Sequence, residues 1–203
     1  MKALIIIDIQ NDFCPGGTLA VPDGDKVVEV INSLCGRFDK VIATRDWHPQ
    51  KHVSFGSTHQ RTTGEIIKLP SGEEQMLWPD HCVQGSKGAD FHKNLAIKNF
   101  NIILHKGMNP DLDSYSAFYE NDGKTSTGLT YYLNGFKIKE VFLCGLATDY
   151  CVYFTALDSL KEGFTTNLIL DCCRAVNLPE GSEKKALKEM KDSGIKILNS
   201  SEI

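Results

Sequence analysis

The sequence predicts an α/β fold in which a doubly wound, six-stranded parallel sheet carries helices on both faces. Six short apolar segments rich in β-branched residues recur along the chain, as is typical of strands buried inside a parallel sheet. Segments with the spacing of amphipathic helices separate them. This alternation indicates parallel strands joined by right-handed helical crossovers.

Each predicted strand is bounded by polar or turn residues. In chain order the strands are 3–8, 40–44, 101–105, 140–144, 167–171 and 195–198. The predicted helices are 25–38, 89–97, 127–136, 149–164 and 180–194. A further apolar run at 64–69 predicts a strand or one arm of a hairpin.

Length and composition favour one soluble domain over residues 1–203, since a chain of this length buries roughly 70% of its unfolded surface. The formal net charge of -4 and the lack of a basic stripe disfavour a nucleic-acid partner. The seven cysteines suggest no disulfide framework, which predicts free thiols in the cytoplasm. The apolar run before Asp8 is too short to be a signal peptide or to cross a membrane.

The segment from about residue 46 to residue 86 separates the second and third predicted strands. A connection of this length inside a compact domain is usually functional. It contains four of the six histidines and both tryptophans. We therefore expect this segment to hold a metal or a substrate.

Cys151 lies just after the fourth predicted strand, where a helix is expected to begin. The carboxyl ends of the strands form the ligand crevice of an open α/β sheet. A helix start lowers the pKa of a cysteine toward the nucleophilic thiolate and offers backbone N–H groups to an oxyanion. The alternative is that Cys151 is a small buried hydrophobic residue, which is the interpretation we give the other six cysteines.

Asp8 and Lys106 follow the first and third predicted strands, so both emerge at the same sheet edge as Cys151. Together they supply a proton acceptor, a positive charge and a nucleophile, which thiol-based acyl transfer requires. Taken singly, Asp8 could cap a turn and Lys106 could be a solvated surface charge. Their convergence favours the catalytic interpretation.

Asp46 and His48 are two residues apart, so both side chains face one way in extended backbone. His81 is a third candidate ligand, brought back by the long segment. Two histidines and a carboxylate with open positions are typical of a catalytic Zn²⁺, Mn²⁺ or Fe²⁺ site. His52 or Ser54 could add a fourth contact, and the sequence does not decide between them.

Four aromatic residues are candidates to hold a flat ring at this edge: Phe13, Trp78, Tyr115 and Phe118. Aromatic residues in loops often only close a core. Of the four, Phe13 and Trp78 are the stronger candidates.

Several motifs occur together in one order over almost the whole chain. They read "IIIDIQNDFCPGGTLAV", "ATRDWHPQKHVSF", "LWPDHCVQGSKGADFH", "HKGMNPDLDSYSAF" and "VFLCGLATDYCVYFTALDS". In this combination the sequence resembles the nicotinamidases, within the isochorismatase-like cysteine hydrolases. The resemblance implies a Rossmann-like three-layer fold and the conversion of nicotinamide to nicotinate and ammonia, which would feed NAD salvage.

The resemblance also implies roles for individual residues. Asp8, Lys106 and Cys151 would form the triad, with a thioester on Cys151. The Leu146–Ala147 peptide would be cis, with the backbone N–H groups of Ala147 and Cys151 forming the oxyanion hole.

For the substrate, the resemblance implies one divalent metal ion, usually zinc or iron, on Asp46, His48 and His81. The pyridine nitrogen of nicotinamide, or of a pyrazinamide-like analogue, would contact this metal. The ring would then lie between Phe13 and Trp78. A homo-oligomer is compatible with the family, but the sequence does not determine the oligomeric state.

Other functions fit parts of this pattern. A hydrolase of carbamoyl or ureido groups would share the Asp, Lys and Cys but lacks the metal ligands, and true isochorismatases lack the nucleophilic cysteine. A non-catalytic zinc or thiol redox module is disfavoured, since no C-x-x-C occurs and the ligand set is open. The insertion at 57–75 matches no motif that carries chemistry.

Overall fold

The computed structural model describes residues 1–70 and 72–203. These residues form eight strands, numbered here in chain order: β1 (Lys2–Ile7), β2 (Lys40–Asp46), β3 (Ile66–Lys68), β4 (Glu74–Met76), β5 (Ile102–Lys106), β6 (Glu140–Leu146), β7 (Thr165–Arg174) and β8 (Lys196–Leu198). The helices are α1 (Val27–Leu34), α2 (Gly56–His59), α3 (Leu129–Gly135), α4 (Tyr153–Lys161) and α5 (Ser182–Asp192).

Six strands form one parallel sheet in the order β5-β2-β1-β6-β7-β8. At its centre, Leu4 of β1 lies opposite Val41 of β2 and Phe142 of β6. All residues from Ala3 to Ile7 are buried. Successive residues of a strand face opposite sides, so helices and loops must cover both faces of the sheet. The predicted fold class and the six predicted strands are confirmed.

Four of the five predicted helices form, with shorter bounds. In α1 the residues Val27, Val28, Ile31 and Leu34 are buried, which is the stripe that an amphipathic helix turns toward a core. A π-helical turn at Thr148–Val152 leads directly into α4. Among the described residues, every helix is too short or too polar to span a lipid bilayer.

The prediction of a helix over 89–97 is wrong. The Ala89 carbonyl accepts hydrogen bonds from the side chains of Gln10 and Arg45 at 2.9 and 2.7 Å. The Asp90 carbonyl accepts from the Asn11 N–H at 2.9 Å. The loop after β1 and a side chain of β2 thus donate to backbone carbonyls that would accept hydrogen bonds within a helix. Of the predicted helix, the described structure has a 3₁₀ turn at Ile97–Asn99.

The run at 64–69 does supply a hairpin arm, since β3 pairs with β4 in antiparallel register. All of this hairpin except Met76 lies in the insertion 57–75, of which Ser71 is outside the described residues. Between β2 and β5 the chain therefore makes a long excursion with little regular structure.

Gly145 allows β6 to lie close against β1. Its φ is 121°, a value that residues with a side chain rarely adopt. A Cβ atom at residue 145 would overlap the backbone of Ile7. At Gly36, by contrast, a Cβ atom would meet no heavy atom within 4 Å.

We predict that Gly145→Ala lowers the free energy of unfolding by about 2 kcal/mol or more, because the added methyl group must push two central strands apart. Urea denaturation of purified protein measures this change. The matched substitution Gly36→Ala should change the free energy by less than about 0.5 kcal/mol. Equal stability of the two variants would contradict the close approach.

Candidate active site

Four polar side chains meet where four neighbouring parallel strands end. Asp46 and Lys106 are the last residues of β2 and β5, and Asp8 directly follows β1. Cys151 lies in the π-helical turn after β6. The chain runs outward from β1 to β2 and β5 and then returns to the other side of β1 with β6. The site thus lies at the switch point where ligands bind in open α/β sheets.

The Lys106 ammonium, 1% exposed, lies at the centre of the site. Its Nζ contacts the Asp46 carboxylate and lies 2.9 Å from Asp8 Oδ2. It also donates to the carbonyl of Ser114 at 3.1 Å and to Cys151 Sγ at 3.4 Å. Burial lowers the pKa of a lysine, but Asp46 and Asp8 outweigh it and raise the pKa of Lys106 well above its usual value. Lys106 is therefore a fixed positive charge.

Asp8 is completely buried, with a φ of 50°, in the left-handed region that few residues other than glycine adopt. Thr44 Oγ1 donates to Asp8 Oδ1 at 2.7 Å. Within the described chain, Oδ2 receives no hydrogen bond of good geometry, despite its ion pair with Lys106. Burial, with a contribution from Asp46, raises the pKa of Asp8 against the effect of Lys106. Asp8 therefore offers a free lone pair for a proton.

The thiol of Cys151 lies within 4.8 Å of a carboxylate oxygen of both Asp8 and Asp46. Burial raises its pKa well above the usual value, and the two carboxylates add to this shift while Lys106 opposes it. The expectation that the helix start lowers this pKa is corrected, because burial among carboxylates dominates. The resting thiol keeps its proton. Of the two nearby carboxylates, Asp8 has the raised pKa, whereas Lys106 and His48 hold the pKa of Asp46 well below its usual value against the effect of burial.

Asp46, His48 and His81 form a second buried cluster, with ligand atoms within 4.8 Å of one another. Asp46 Oδ2 lies 3.6 Å from His48 Nε2 and 3.8 Å from His81 Nε2. The Nδ1 atoms of these histidines lie 2.9 and 2.8 Å from the carbonyls of Gly107 and Pro79. Nδ1–H must donate to a carbonyl, so in the neutral imidazole each Nε2 lone pair is directed at the cluster. These residues fit a divalent metal ion.

The side chain of Gln10 holds the backbone of Asp46, the acidic residue of this cluster. Its side-chain amide donates to the Asp46 carbonyl and accepts from the Asp46 N–H, both at 2.8 Å, and its second N–H reaches Ala89. Gly107 leaves room for the candidate ligand His48, since a Cβ atom at residue 107 would overlap the His48 imidazole. These contacts thus fix the positions of the candidate ligands Asp46 and His48.

His52 and Ser54 lie beside this cluster rather than in it. His52 Nδ1 pairs with Ser54 Oγ at 2.8 Å, and Nε2 lies 3.2 Å from the Leu112 carbonyl. Burial and the neighbouring His48 lower the pKa of His52 to about 4. Its ring packs 4.2 Å from that of His48, and one of its nitrogens groups with His48 and Asp113. In this arrangement both ring nitrogens of His52 already have partners.

A small cavity with a volume of about 30 Å³ opens above both clusters. Its floor includes Asp46, His48, His81, Ala147 and Cys151, and its walls include Phe13, Leu19, Trp78, Tyr115, Tyr150 and Val176. Trp78 Nε1 donates to the Tyr115 hydroxyl at 3.0 Å, which locks the two rings together. Aromatic side chains thus make up much of the cavity lining.

Phe118 does not line this cavity, and its predicted contact with substrate is corrected. It is completely buried, with its ring 5.9 Å from that of Phe164. Its contribution is to the hydrophobic core.

The sequence analysis missed several residues that shape the site. Thr44 lies two residues before Asp46 on the same strand, so the strand period could have indicated it. Gln10 lies in the quoted motif with Asp8, but nothing in its residue type announces its contact with Asp46. Tyr150 reaches the cavity from the π-helical turn and Val176 from the connection after β7, and no local pattern signals their meeting.

The Leu146–Ala147 peptide is cis, as the family resemblance implied. Ala147 and Cys151 both face the cavity.

Comparisons with known proteins show the family of the chain. Residues 2–202 match the model of the isochorismatase domain. The chain is 46% identical to the nicotinamidase of Escherichia coli, over 95% of this chain and 92% of that protein. It superposes with a TM-score of 0.96 on a nicotinamidase/pyrazinamidase from Acinetobacter baumanii, with 44% identity and coverage of 99% and 97%.

A third similar protein is the pyrazinamidase of Pyrococcus horikoshii, whose structure contains zinc. It is 38% identical, with a TM-score of 0.80 and 98% of each chain covered. The chain therefore belongs to the isochorismatase family, and within it groups with the nicotinamidases.

Proposed function

We propose that the protein hydrolyses nicotinamide to nicotinate and ammonia through a thioester on Cys151, as a cytoplasmic enzyme of NAD salvage. The observation that carries this proposal is the position of Lys106 Nζ between Asp8, Asp46 and Cys151 beneath an aromatic cavity. The full-length similarity to nicotinamidases supports the substrate. The free cysteines support a reducing compartment.

In the first step Asp8 takes the proton of the Cys151 thiol, and the sulfur attacks the carboxamide carbon. The carbonyl π electrons move to oxygen, giving a tetrahedral oxyanion. The backbone N–H groups of Ala147 and Cys151 stabilise this charge. Lys106 compensates the negative charge of the site throughout, because it stays protonated.

In the second step the C–N bond breaks and Asp8 returns the proton to the nitrogen, which leaves as ammonia. A water molecule then gives a proton to Asp8 and adds its hydroxide to the thioester carbon. The C–S bond breaks, the sulfur regains its proton from Asp8, and the nicotinic acid that leaves gives its proton to solvent to become nicotinate. Asp8 thus acts as base and acid in turn.

The side chains of Asp46, His48 and His81 would hold one divalent metal ion, for which Zn²⁺ is our proposal and Fe²⁺ or Mn²⁺ the alternatives. When bound, the ion supplies a Lewis acid for the pyridine nitrogen. Phe13 and Trp78 sandwich the ring and Tyr115 supports Trp78, which directs the carboxamide toward Cys151. Pyrazinamide-like analogues share this ring and amide.

We predict that wild-type protein releases ammonia from nicotinamide and that Cys151→Ala lowers kcat/KM by at least about 10⁴-fold, because no other nucleophile replaces the thiol. An ammonia assay with both proteins measures this. Cys35→Ala, which removes a buried thiol at the end of α1, is the matched control and should keep activity within about twofold. Turnover by Cys151→Ala would contradict the nucleophile.

Carbamoyl and ureido substrates belong in the same assay. Release of ammonia from an N-carbamoyl compound but not from nicotinamide would contradict the proposed substrate and leave the nucleophile in place.

We predict that Gln10→Glu lowers zinc affinity by about 10- to 100-fold, because a carboxylate cannot donate to the Asp46 and Ala89 carbonyls. Calorimetric titration of dialysed protein with zinc measures the affinity. Gln84→Glu is the matched control, since exposed Gln84 donates to the neighbouring Trp47 carbonyl at 2.9 Å. Equal zinc affinity of the Gln10 variant and wild type would contradict the positioning of Asp46 by Gln10.

A further inference from the structure

Asp149 is a buried carboxylate that the proposed mechanism does not use. It lies two residues before Cys151 in the π-helical turn and is 6% exposed. Its Oδ1 accepts the N–H of Val176 at 3.1 Å, and its Oδ2 accepts the N–H of Asn177 at 2.8 Å and the Ser182 hydroxyl at 2.5 Å. One carboxylate thus ties together both ends of the segment that joins β7 to α5.

This segment, residues 175–182, reaches the cavity at a single residue. Val176 lines it together with Ala147 and Cys151, while residues 177–181 are exposed. The Tyr150 hydroxyl makes a second tie, to the carbonyl of Leu178. An exposed connection of this kind is mobile unless its backbone is held.

We propose that Asp149 is a positioning residue that clamps residues 175–182 against the nucleophile turn and so fixes the cavity wall at Val176, which limits the substrate ring. The inference rests on the proposed function for the identity of that ring. The carboxylate itself contacts the segment, and the structure gives it no hydrogen bond to Asp8, Lys106 or Cys151 among the described residues.

The nucleophile turn has its own support. The Tyr150 and Val152 N–H groups both donate to the Ala147 carbonyl at 3.1 Å. Loss of the Asp149 carboxylate therefore releases the wall while these hydrogen bonds still shape the turn. The expected consequence is weaker binding of the ring, with a smaller effect on the chemical step.

Asp149→Asn is the direct test, because an amide nitrogen would replace one acceptor oxygen and face N–H or O–H donors. Ser182→Ala is a milder variant that removes one hydrogen bond to the same carboxylate. The matched control is Asp171→Asn, since Asp171 accepts the N–H of Ser200 at 2.8 Å and its hydroxyl at 2.5 Å, away from the cavity. Asp171→Asn thus removes a carboxylate that accepts N–H and O–H donors at a site outside the cavity.

Hydrogen exchange tests the clamp without any turnover. We expect the Val176 and Asn177 amides to exchange at least about tenfold faster in Asp149→Asn, and about threefold faster in Ser182→Ala, because charged hydrogen bonds hold them. Asp171→Asn should leave these rates unchanged. Wild-type exchange rates in both Asp149→Asn and Ser182→Ala would overturn the clamp.

Steady-state kinetics with nicotinamide test the wall. We expect KM to rise about tenfold in Asp149→Asn while kcat falls less than threefold, with a smaller rise for Ser182→Ala. A fall in kcat at constant KM would overturn the positioning role in binding. If Asp149→Asn does not fold, Ser182→Ala decides both readouts. Absence of wild-type turnover would contradict the proposed function alone, and exchange would still decide the clamp.

Discussion

The buried ammonium of Lys106 between two carboxylates is the interaction on which the rest of the site depends. Asp8, Asp46 and Lys106 are each at most 3% exposed, so each charge has lost its water and is stable only because the others are present. Lys106 also joins the two halves of the site, since Asp8 lies beside the Cys151 thiol and Asp46 belongs to the cluster with His48 and His81. Removing the lysine would leave two like charges facing each other beside a protonated thiol.

The sheet makes this arrangement possible because four strand ends are held by continuous main-chain ladders on both sides of β1. Polar groups placed on those ends need no loop to hold them. Loops supply the remaining parts of the site: the long excursion after β2 brings His81 and Trp78, and the connection before α5 brings Val176. Reaction chemistry thus rests on the rigid edge, while the shape of the ring cavity depends on ties such as the Asp149 carboxylate.

Much of this could be predicted from sequence because it depends on local rules. Buried β-branched runs show where strands end, and so Asp8, Lys106 and Cys151 converge by topology alone. The prediction of a helix over 89–97 was wrong because residue spacing cannot show hydrogen bonds from distant residues. Gln10, Arg45 and Asn11 donate to the backbone carbonyls of Ala89 and Asp90. The prediction of a lowered pKa for Cys151 was wrong for a similar reason, since burial among carboxylates is a property of the assembled site.

The central claim is that Cys151 becomes acylated after Asp8 accepts its proton. The most direct measurement is mass mapping of peptides from a reaction with nicotinamide that is quenched in acid within one turnover. We predict one nicotinoyl group on the peptide that contains Cys151, and almost none when Asp8→Asn protein reacts for the same time. Ammonia release with no label on Cys151, or equal labelling in the Asp8 variant, would contradict it.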